Sequence, residues 1–422
     1  NVFHAGDGNL HPLLMFDSRN AEQLKQVHKA GWDIMAVCAE LGGTISGEHG
    51  VGHEKQEAMA MIFSGHDLNT QQDVKLALDT DNLMNPGKVI PVPPQGQSRL
   101  ADAEPTILKR LGGKDAGGVQ ETIEAVKSAI SAGKSIRVTG AGTFNGIGNE
   151  LKADAVSIDS SQLTDVIEYD TDNMFITVGS GVTLAALQEK LGEKKQWLPI
   201  RPPFFTESST TGSIAAMAAV GPERMSYGAP RDLLLGLQYI DNQGKMVSAG
   251  GKVVKNVAGY DMTRLLTGSN GTLGFITEAS WMIATRPDSC KVVASVGSLA
   301  DCSRAALKII GSDLHPVTVT AVPQGSDWKL MVAFEGIEEV VDHQIDRSES
   351  VMGENGLKSA GTVEYPVLDG CHKEIFETIG QQSFICQADI VIGKSLEGFG
   401  EINKVAPSKN VLIDFACGRI YA

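Results

Sequence analysis

The sequence predicts an α+β protein, because short strands and turns recur along much of the chain while long helices are few. From Val138 onward, apolar runs of four to eight residues alternate with glycine-rich turns, as in "DAVSIDSSQLTDVIEYD" and "LLLGLQYIDNQGKMVSAGG". Regular alternation of strands with long helices, the pattern of a parallel α/β fold, is missing. The pattern therefore favours α+β organisation.

Two helices are predicted near the N-terminus. The first covers residues 20–41, where Asn20 and Gln23 resemble a capping pair and Gly42 with Gly43 ends the helix. Its apolar face is formed by Leu24, Val27, Ile34, Cys38 and Leu41. The second helix covers residues 70–78. The flanking runs "NVFHA" and "LHPLLMF" are typical of strands.

Composition shifts divide the chain into four segments. A run rich in proline, glycine and polar residues predicts a linker at 94–116, after a first domain over 1–93. A second domain follows over 117–288, beginning with a helix whose apolar residues are Val119, Ile123, Val126 and Ile130. Glycine becomes rarer after 288, which predicts a separate domain over 289–422. Both ends of the sequence fall inside strand-like runs, so we expect a fragment.

Charge and composition exclude several functions. The net charge of −15 and the pI near 5.1 give no electrostatic support for nucleic-acid binding. No apolar run approaches the roughly 18 residues of a membrane span. The six cysteines are dispersed without a C-x-x-C spacing, which favours reduced thiols in a cytoplasmic protein and argues against an iron–sulfur cluster held by this chain.

Histidines are concentrated at the N-terminus, where six of the nine fall within the first 66 residues. His4 and His11 flank the turn "GDGN", so their imidazoles can converge on one point, as a divalent metal requires. Glu48 and His49 are adjacent among glycines that permit a close approach of the backbone. Each histidine alone is more consistent with an ordinary loop or core residue, whereas the combined set favours a metal site.

Glycine turns point to a second kind of site. The turn "VTGAGT" at 138–143 follows a strand and can aim successive N–H groups at an anion. It lacks both the G-x-G-x-x-G and the P-loop patterns. Three more glycine-dense turns follow, "TESSTTGSIAA", "YGAPRDLLLG" and "NVAGYDMTRLLTGSNGTLGFIT". Four such turns suggest a long cofactor that lies along backbone amides.

The order of these motifs resembles the FAD-binding domain of the vanillyl-alcohol oxidase/PCMH flavoprotein family, and in detail the E-type subunit of glycolate oxidase. The motifs "HAGDGNLH", "GEHGVGHEK" and "NPGKVI" resemble the closing segment of the D-type subunit. The chain looks like a D-type tail fused to most of an E-type subunit. The resemblance implies a PCMH-type two-part FAD-binding domain with ferredoxin-like cap segments.

The resemblance also implies roles for individual residues. The FAD pyrophosphate would lie on Thr139, Gly140, Ala141, Gly142 and Thr143. The rest of the cofactor would contact Thr211, Gly212, Ser213, Asp232 and Ile276, although Asp232 is equally consistent with a capping aspartate. A divalent metal (zinc, manganese or iron) would bind His4, His11 and Glu48. His49 would act as the base, and Asn9 would bond the substrate or orient a ligand.

The implied reaction is the oxidation of a small 2-hydroxy acid, of the glycolate or D-lactate type, to the 2-oxo acid. The hydride would pass from the substrate Cα to FAD. An E-type subunit that binds FAD only for electron relay or assembly is the alternative, and a non-catalytic scaffold is a third. The implied partners are an iron–sulfur subunit, a D-type flavin subunit, or both. The protein would be cytoplasmic, and a partner could hold it at the inner membrane.

The two cap segments differ in their ligands. Aligning Gly418 with Gly8 places Asp414 at the position of His4 and Tyr421 at that of His11, so the second copy lacks the histidine pair. We expect 1–93 to dock against 117–422 as the missing end of the cap. The histidines should then face the flavin pocket formed by Gly142 and Gly212.

The flavin should be held without a covalent bond, because no histidine or cysteine lies between Ser135 and Ser289 to bond the isoalloxazine. Acid precipitation of purified protein should leave the yellow colour in the supernatant, as measured by its absorbance spectrum. Colour that stays with the precipitate would contradict this prediction.

Overall fold

The structure, a computed structural model, describes residues 1–108, 117–143, 154–202, 208–364, 372, 374, 387–405 and 410–422. The chain forms two compact units. Unit 1 comprises Asn1–Lys190, Glu207–Ala218 and Arg231–Ile283, and unit 2 comprises Leu191–Thr206, Ala219–Pro230 and Ala284–Ala422. None of the helices in the described ranges combines the length and the apolar content that a bilayer crossing needs.

Unit 1 contains the N-terminal segment, residues 1–108, and most of the predicted flavin domain, here called the flavin half. Residues 191–206, 219–230 and 284–288 of that predicted domain belong to unit 2 instead. Its strands are β1 (Val2–His4), β2 (Asn9–His11), β3 (Ile136–Thr139), β4 (Val156–Asp159), β5 (Val166–Asp170), β6 (Phe175–Gly179), β8 (Leu234–Ile240), β9 (Met246–Gly250) and β10 (Phe275–Met282). Its helices are α1 (Ala21–Glu40), α2 (Gly65–Leu78), α3 (Val119–Ser131), α4 (Leu184–Gly192), which ends in unit 2, α5 (Thr211–Met217), α7 (Pro230–Leu233) and α8 (Met262–Leu266).

The flavin half of unit 1 has two parts. Strands β3 and β4 pair in parallel, and β5, β6, β10, β8 and β9 form a five-stranded antiparallel sheet in that order. Both parts share one apolar core, in which Val126 of α3 packs with Ile158 of β4 and Phe275 of β10. This mixed architecture confirms the predicted α+β class.

Unit 2 is built on a seven-stranded sheet. The strands run in the order β15 (Lys358–Glu364), β12 (Ser289–Gly297), β14 (Asp327–Gly336), β13 (Thr318–Gln324), β17 (Leu412–Asp414), β18 (Arg419–Tyr421) and β16 (Gln387–Asp389). The remaining elements are α6 (Arg224–Tyr227), α9 (Leu299–Ile310), α10 (Glu338–Glu354), α11 (Ser395–Val405) and the strand pair β7 (Gln196–Trp197) with β11 (Ala284–Thr285).

The pleat of this sheet separates two apolar faces. Val293 of β12 and Val332 of β14 pack in one core with α9 and α10, whereas their neighbours Val292 and Ala333 belong to a second core. Side chains alternate between the faces because successive Cβ atoms of a strand point to opposite sides. Helices on one side of an antiparallel sheet fit the cap domain that the sequence predicts.

The N-terminal helices follow their capping signals. Helix α1 confirms the predicted helix at 20–41, and the side chain of Asn20 accepts hydrogen bonds from the N–H groups of Glu22 and Gln23. Helix α2 starts five residues before the predicted Thr70, because Ser64 and Asp67 form a capping box. The predicted strand over "LHPLLMF" ends at His11, since Pro12 lacks an N–H group for a ladder.

Part of the predicted linker is packed rather than free. The N–H of Gly65 donates to Ala103 O at 2.8 Å, and the N–H of Leu108 donates to Met61 O at 2.8 Å. Leu100 and Ile107 join the apolar core of the N-terminal segment. The end of the predicted linker, residues 109–116, lies outside the described residues.

The N-terminal segment docks on the flavin half within unit 1. Helix α2 lies against β9, where the N–H of Ser248 donates to Asp67 Oδ1 at 2.8 Å. His66 Nε2 lies 2.8 Å from Asp241 Oδ2, and both side chains are about nine-tenths buried, with exposures of 8% and 10%. Burial alone would raise the pKa of Asp241, but hydrogen bonds from His66 and two backbone N–H groups lower it below 3.8.

The docking hypothesis expected the hairpin β1–β2 to complete the cap sheet of unit 2. The hairpin does not do so. It forms a two-stranded sheet of its own, and in unit 2 the place next to β13 is held by the second hairpin, β17–β18. All three cross-strand pairs match in register: His4↔Asn9 with Asp414↔Arg419, Phe3↔Leu10 with Ile413↔Ile420, and Val2↔His11 with Leu412↔Tyr421. The alignment of Gly8 with Gly418 is thereby supported, since both have positive φ.

Replacing Asp241 by asparagine should lower the free energy of unfolding by about 2 kcal/mol at neutral pH, because it removes a buried carboxylate that accepts hydrogen bonds from His66 and two backbone N–H groups. The pKa of Asp241 is depressed in the folded chain, so its contribution is complete above the ordinary value of 3.8 and is lost as the pH falls through and below it. Thermal or denaturant unfolding of both proteins as a function of pH measures the difference.

Asp102→Asn is the matched control, because Asp102 forms an exposed ion pair with Lys245 in the same unit. Its cost should stay below about 1 kcal/mol. Equal losses for the two variants at neutral pH would contradict a special role of the buried pair.

Candidate functional site

The pleat of the hairpin explains the spacing of the two histidines. Val2 pairs with His11 and His4 pairs with Asn9 across the strands. Directly opposed residues, and residues two apart on a strand, share one face of a sheet. His4, Asn9 and His11 therefore lie on one face, while Phe3 and Leu10 lie on the other.

Glu48 reaches the same face from a separate loop. Glu48 Oε1 lies 3.6 Å from His4 Nε2, and Glu48 Oε2 lies 3.3 Å from His11 Nε2. One ligand atom from each of these residues falls within 4.8 Å of the others. The ring of His49 meets that of His11 edge-on, with centroids 5.5 Å apart. Two imidazoles and a carboxylate at this spacing form a donor set that suits zinc, manganese or iron.

Asn9 contacts His11 on the same face of the hairpin. Its Nδ2 atom lies 3.2 Å from His11 Nε2. A Cβ atom on Gly47 would lie 2.5 Å from Asn9 Oδ1, so the loop that carries Glu48 approaches the hairpin closely only because residue 47 is glycine. Ser46 closes this loop by donating to Gly50 O at 2.9 Å.

Lys255, from the flavin half, completes the cluster, and the sequence analysis missed it. Its ammonium group contacts Glu48 Oε1 and lies 3.0 Å from Asp7 Oδ2 in the hairpin turn. The contact lowers the pKa of Glu48, and the two carboxylates raise the pKa of Lys255. The stretch "KVVKNVAGY" contains two lysines, Lys252 and Lys255, and nothing in it distinguishes the one that contacts Glu48.

Three of the four glycine turns converge in the flavin half. A Cβ on Gly140 would lie 2.5 Å from Thr210 Oγ1, which brings "VTGAGT" against the start of α5. A Cβ on Gly271 would lie 3.7 Å from Val138 Cβ, so the turn "TGSNGTLG" adjoins the same strand. The N–H of Asn270 also donates to Ala216 O at 2.8 Å. The predicted pyrophosphate loop is thus flanked by two others.

The composition of this region fits an FAD cradle. Gly142 has a φ of +76°, a conformation that side-chain-bearing residues rarely adopt. A Cβ on Gly212 would lie 2.6 Å from Ser180 Cβ, so only glycine permits the approach. Among the described residues, the hydroxyls of Ser180 and Ser209 are buried without a hydrogen-bond partner. Small residues with available polar atoms are what a bound pyrophosphate or ribityl chain requires.

The other predicted cofactor residues have varied positions. Thr211 is fully buried and its hydroxyl donates to Gly179 O at 3.1 Å, while the hydroxyl of Ser213 donates to Thr210 O at 2.7 Å. Ile276 is buried in β10 opposite Tyr239. Asp232 lines a separate cavity of about 200 Å³ together with residues of the turn that precedes α8. The roles of these residues toward FAD remain predictions.

The second hairpin offers no equivalent metal ligands. Asp414 is 3% exposed, and burial raises its pKa to about 7. Tyr421 is 2% exposed, within the apolar core on one face of the sheet. In the described part of the chain, His4, His11 and Glu48 are the one group of such residues close enough to share an ion.

Comparisons with known proteins agree with the fold. Residues 116–250 match the family model described as "FAD binding domain", and residues 1–89 match "FAD linked oxidases, C-terminal domain". Alkyldihydroxyacetonephosphate synthase shares the fold, with a TM-score of 0.58 at 18% identity over 72% of this chain and 68% of that chain. The matched domain indicates a flavoprotein that binds FAD. Over the two matched segments the chain is similar to FAD-linked oxidases.

Curated relatives match parts of the chain. Glycolate oxidase subunit GlcE of Escherichia coli (strain K12) is 34% identical over 40% of this chain and 47% of its own length. Subunit GlcD of the same strain is 48% identical over 22% of this chain and 18% of its own length. D-lactate dehydrogenase of Archaeoglobus fulgidus is 28% identical over 46% and 44%. The chain spans less than half the length of each of these relatives.

Replacing Gly142 by leucine should abolish FAD binding, because the side chain would occupy the space of the cofactor and strain a backbone at positive φ. The ratio of flavin to protein after reconstitution measures the loss. Gly133→Leu is the matched control, since Gly133 has a φ of +64° but open space around it. Retained FAD in Gly142→Leu, or equal loss in both variants, would contradict the cradle assignment.

Proposed function

We propose that the chain is the FAD-binding component of a 2-hydroxy-acid dehydrogenase of the glycolate oxidase type. The observation that carries the proposal is the cluster of His4, His11 and Glu48, which lies in the same compact unit as the FAD-binding fold and touches it through Lys255. Glycolate oxidase subunits and a D-lactate dehydrogenase among the relatives support this substrate class.

When bound, FAD would supply the hydride acceptor and a divalent metal would polarise the substrate hydroxyl. The chain's own residues would hold the substrate and move its proton. His4, His11 and Glu48 would hold the metal, and His49, in edge contact with His11, would take the hydroxyl proton as the Cα hydride leaves for FAD. The product would be the 2-oxo acid. Asn9 orients His11 through its amide.

The second candidate is an electron-relay or assembly subunit that binds FAD without oxidising substrate. The exposure of the hairpin favours it, because Phe3 and Leu10 are 62% and 63% exposed and His4 is half exposed. A catalytic site is normally shielded from water. Its partner would then be an iron–sulfur subunit or a D-type subunit, the two partners that the family resemblance implies.

Anaerobic addition of glycolate or D-lactate to the FAD- and metal-loaded chain should bleach the visible flavin band. The double variant His4→Ala/His11→Ala should lose its bound metal and slow bleaching on the order of 100-fold or more, while dithionite still reduces its flavin. Spectroscopy under nitrogen and elemental analysis measure both effects.

The control is His28→Ala/His53→Ala, which removes two exposed histidines outside the cluster. It should keep metal and rate. A loaded wild-type chain that neither acid reduces would favour the relay function, and equal metal content in the two double variants would refute the metal assignment.

A further inference from the structure

Lys255 is held at the cluster by the loop that follows it. Thr44 Oγ1 donates to Asn256 Oδ1 at 3.0 Å, and the same oxygen accepts from the N–H of Ala258 at 3.0 Å. The N–H of Val257 donates to Ser46 O at 3.1 Å. These bonds tie the residues directly after Lys255 to the segment directly before Glu48. The contact between the two side chains is therefore fixed by the backbones that carry them.

The two carboxylates of the cluster do not use all the N–H donors of Lys255. An ammonium group has three N–H donors, and here it contacts two carboxylates, Glu48 and Asp7. Glu48 Oε1 is shared between Lys255 and His4, at 3.6 Å from His4 Nε2. A cation on the imidazoles attracts this carboxylate as well, which weakens its hold on the ammonium group. Lys255 then keeps Asp7 and can turn a donor toward a ligand of the metal.

A 2-hydroxy acid presents what such a lysine recognises. Its hydroxyl and one carboxylate oxygen can both lie on a divalent metal, and the remaining carboxylate oxygen then needs a donor beside the metal. A lysine ammonium binds such an oxygen as a compact point charge through a charge-assisted hydrogen bond. A second lysine, Lys55, lies near the loop that carries Glu48. Its ammonium group donates to Ile45 O and Ser46 Oγ, both at 3.2 Å, and so is engaged with that loop.

We propose that Lys255 anchors the carboxylate of the acid substrate, so that the flavin half supplies the substrate's counter-charge and the N-terminal segment supplies its metal. The inference rests on the proposed function. It assigns the preference for acids over neutral alcohols to one residue outside the metal ligands. A purely structural lysine, which only neutralises Glu48 and Asp7, is the competing explanation.

The test compares Lys255→Met, Lys255→Arg and Lys252→Met in the FAD- and metal-loaded chain. Lys252 is the matched control, because it lies in the same loop and pairs with a different carboxylate, Glu168. Affinity for oxalate, an unreactive dianion, is measured by calorimetry, and metal and flavin contents are determined alongside. Anaerobic flavin reduction is then compared for glycolate and for glycolamide, its neutral amide.

Lys255→Met should weaken oxalate binding roughly 10- to 100-fold, the usual range for loss of one charged hydrogen bond. Its preference for glycolate over glycolamide should fall by a similar factor, while metal and flavin contents stay at the wild-type level. Lys255→Arg should recover most of the affinity, and Lys252→Met should match the wild type. A structural role would impair both substrates equally and leave the preference unchanged.

Three results overturn the inference. Unchanged oxalate affinity in Lys255→Met removes the anchor and leaves the proposed function intact. Loss of metal or flavin in both Lys255 variants assigns the lysine a structural role instead. Failure of the loaded wild-type chain to bind oxalate or to be reduced by glycolate overturns the inference together with the proposed function.

Discussion

The docking of the N-terminal segment in unit 1 depends on one buried hydrogen-bonded pair, that of His66 with Asp241. A carboxylate in a buried turn of a sheet is costly unless donors surround it, and here the imidazole and two backbone N–H groups do so. The pair joins the first turn of α2 to the connection between β8 and β9. Next to it, Asp67 uses one carboxylate oxygen to cap its own helix and the other to accept from Ser248. Burial of these groups makes the docking of the N-terminal segment specific.

Further polar contacts of the same interface lead from this pair toward the cluster of His4, His11, Glu48 and Lys255. Gln71, one helical turn further along α2, accepts from the N–H of Tyr260, and Asn256 bonds Thr44. Each contact joins the N-terminal segment to the loop between β9 and α8, and the last of them lies beside Lys255. Polar contacts of this kind have strict geometry, so they fix the register of the two segments better than apolar packing does. The position of Glu48 therefore depends on the interface as much as on its own loop.

The sequence predicted what depends on local chemistry. The capping side chain of Asn20 indicated the start of α1, and the turn between His4 and His11 indicated that their imidazoles converge. Contacts between residues far apart in the chain were not predicted. Lys255 stands 207 positions from Glu48, and no residue near it in the chain indicates a carboxylate partner. Likewise, the sequence did not predict the hydrogen bond from the Thr211 hydroxyl to Gly179 in the neighbouring strand. Long-range pairing of this kind leaves no periodic signal in a single sequence.

The two hairpins have matching backbones, but the side chains at their aligned positions differ in burial. In β17–β18 the positions aligned with the two histidines carry Asp414 and Tyr421, both nearly fully buried, and burial raises the pKa of each. In β1–β2 the histidines stay accessible, with Glu48 and Lys255 beside them. Asp414 and Tyr421 are packed within a seven-stranded sheet, so their oxygens are less accessible to an ion than the histidine nitrogens of the first hairpin. The first hairpin forms a two-stranded sheet of its own, and the polar contacts of the docked loops support it instead.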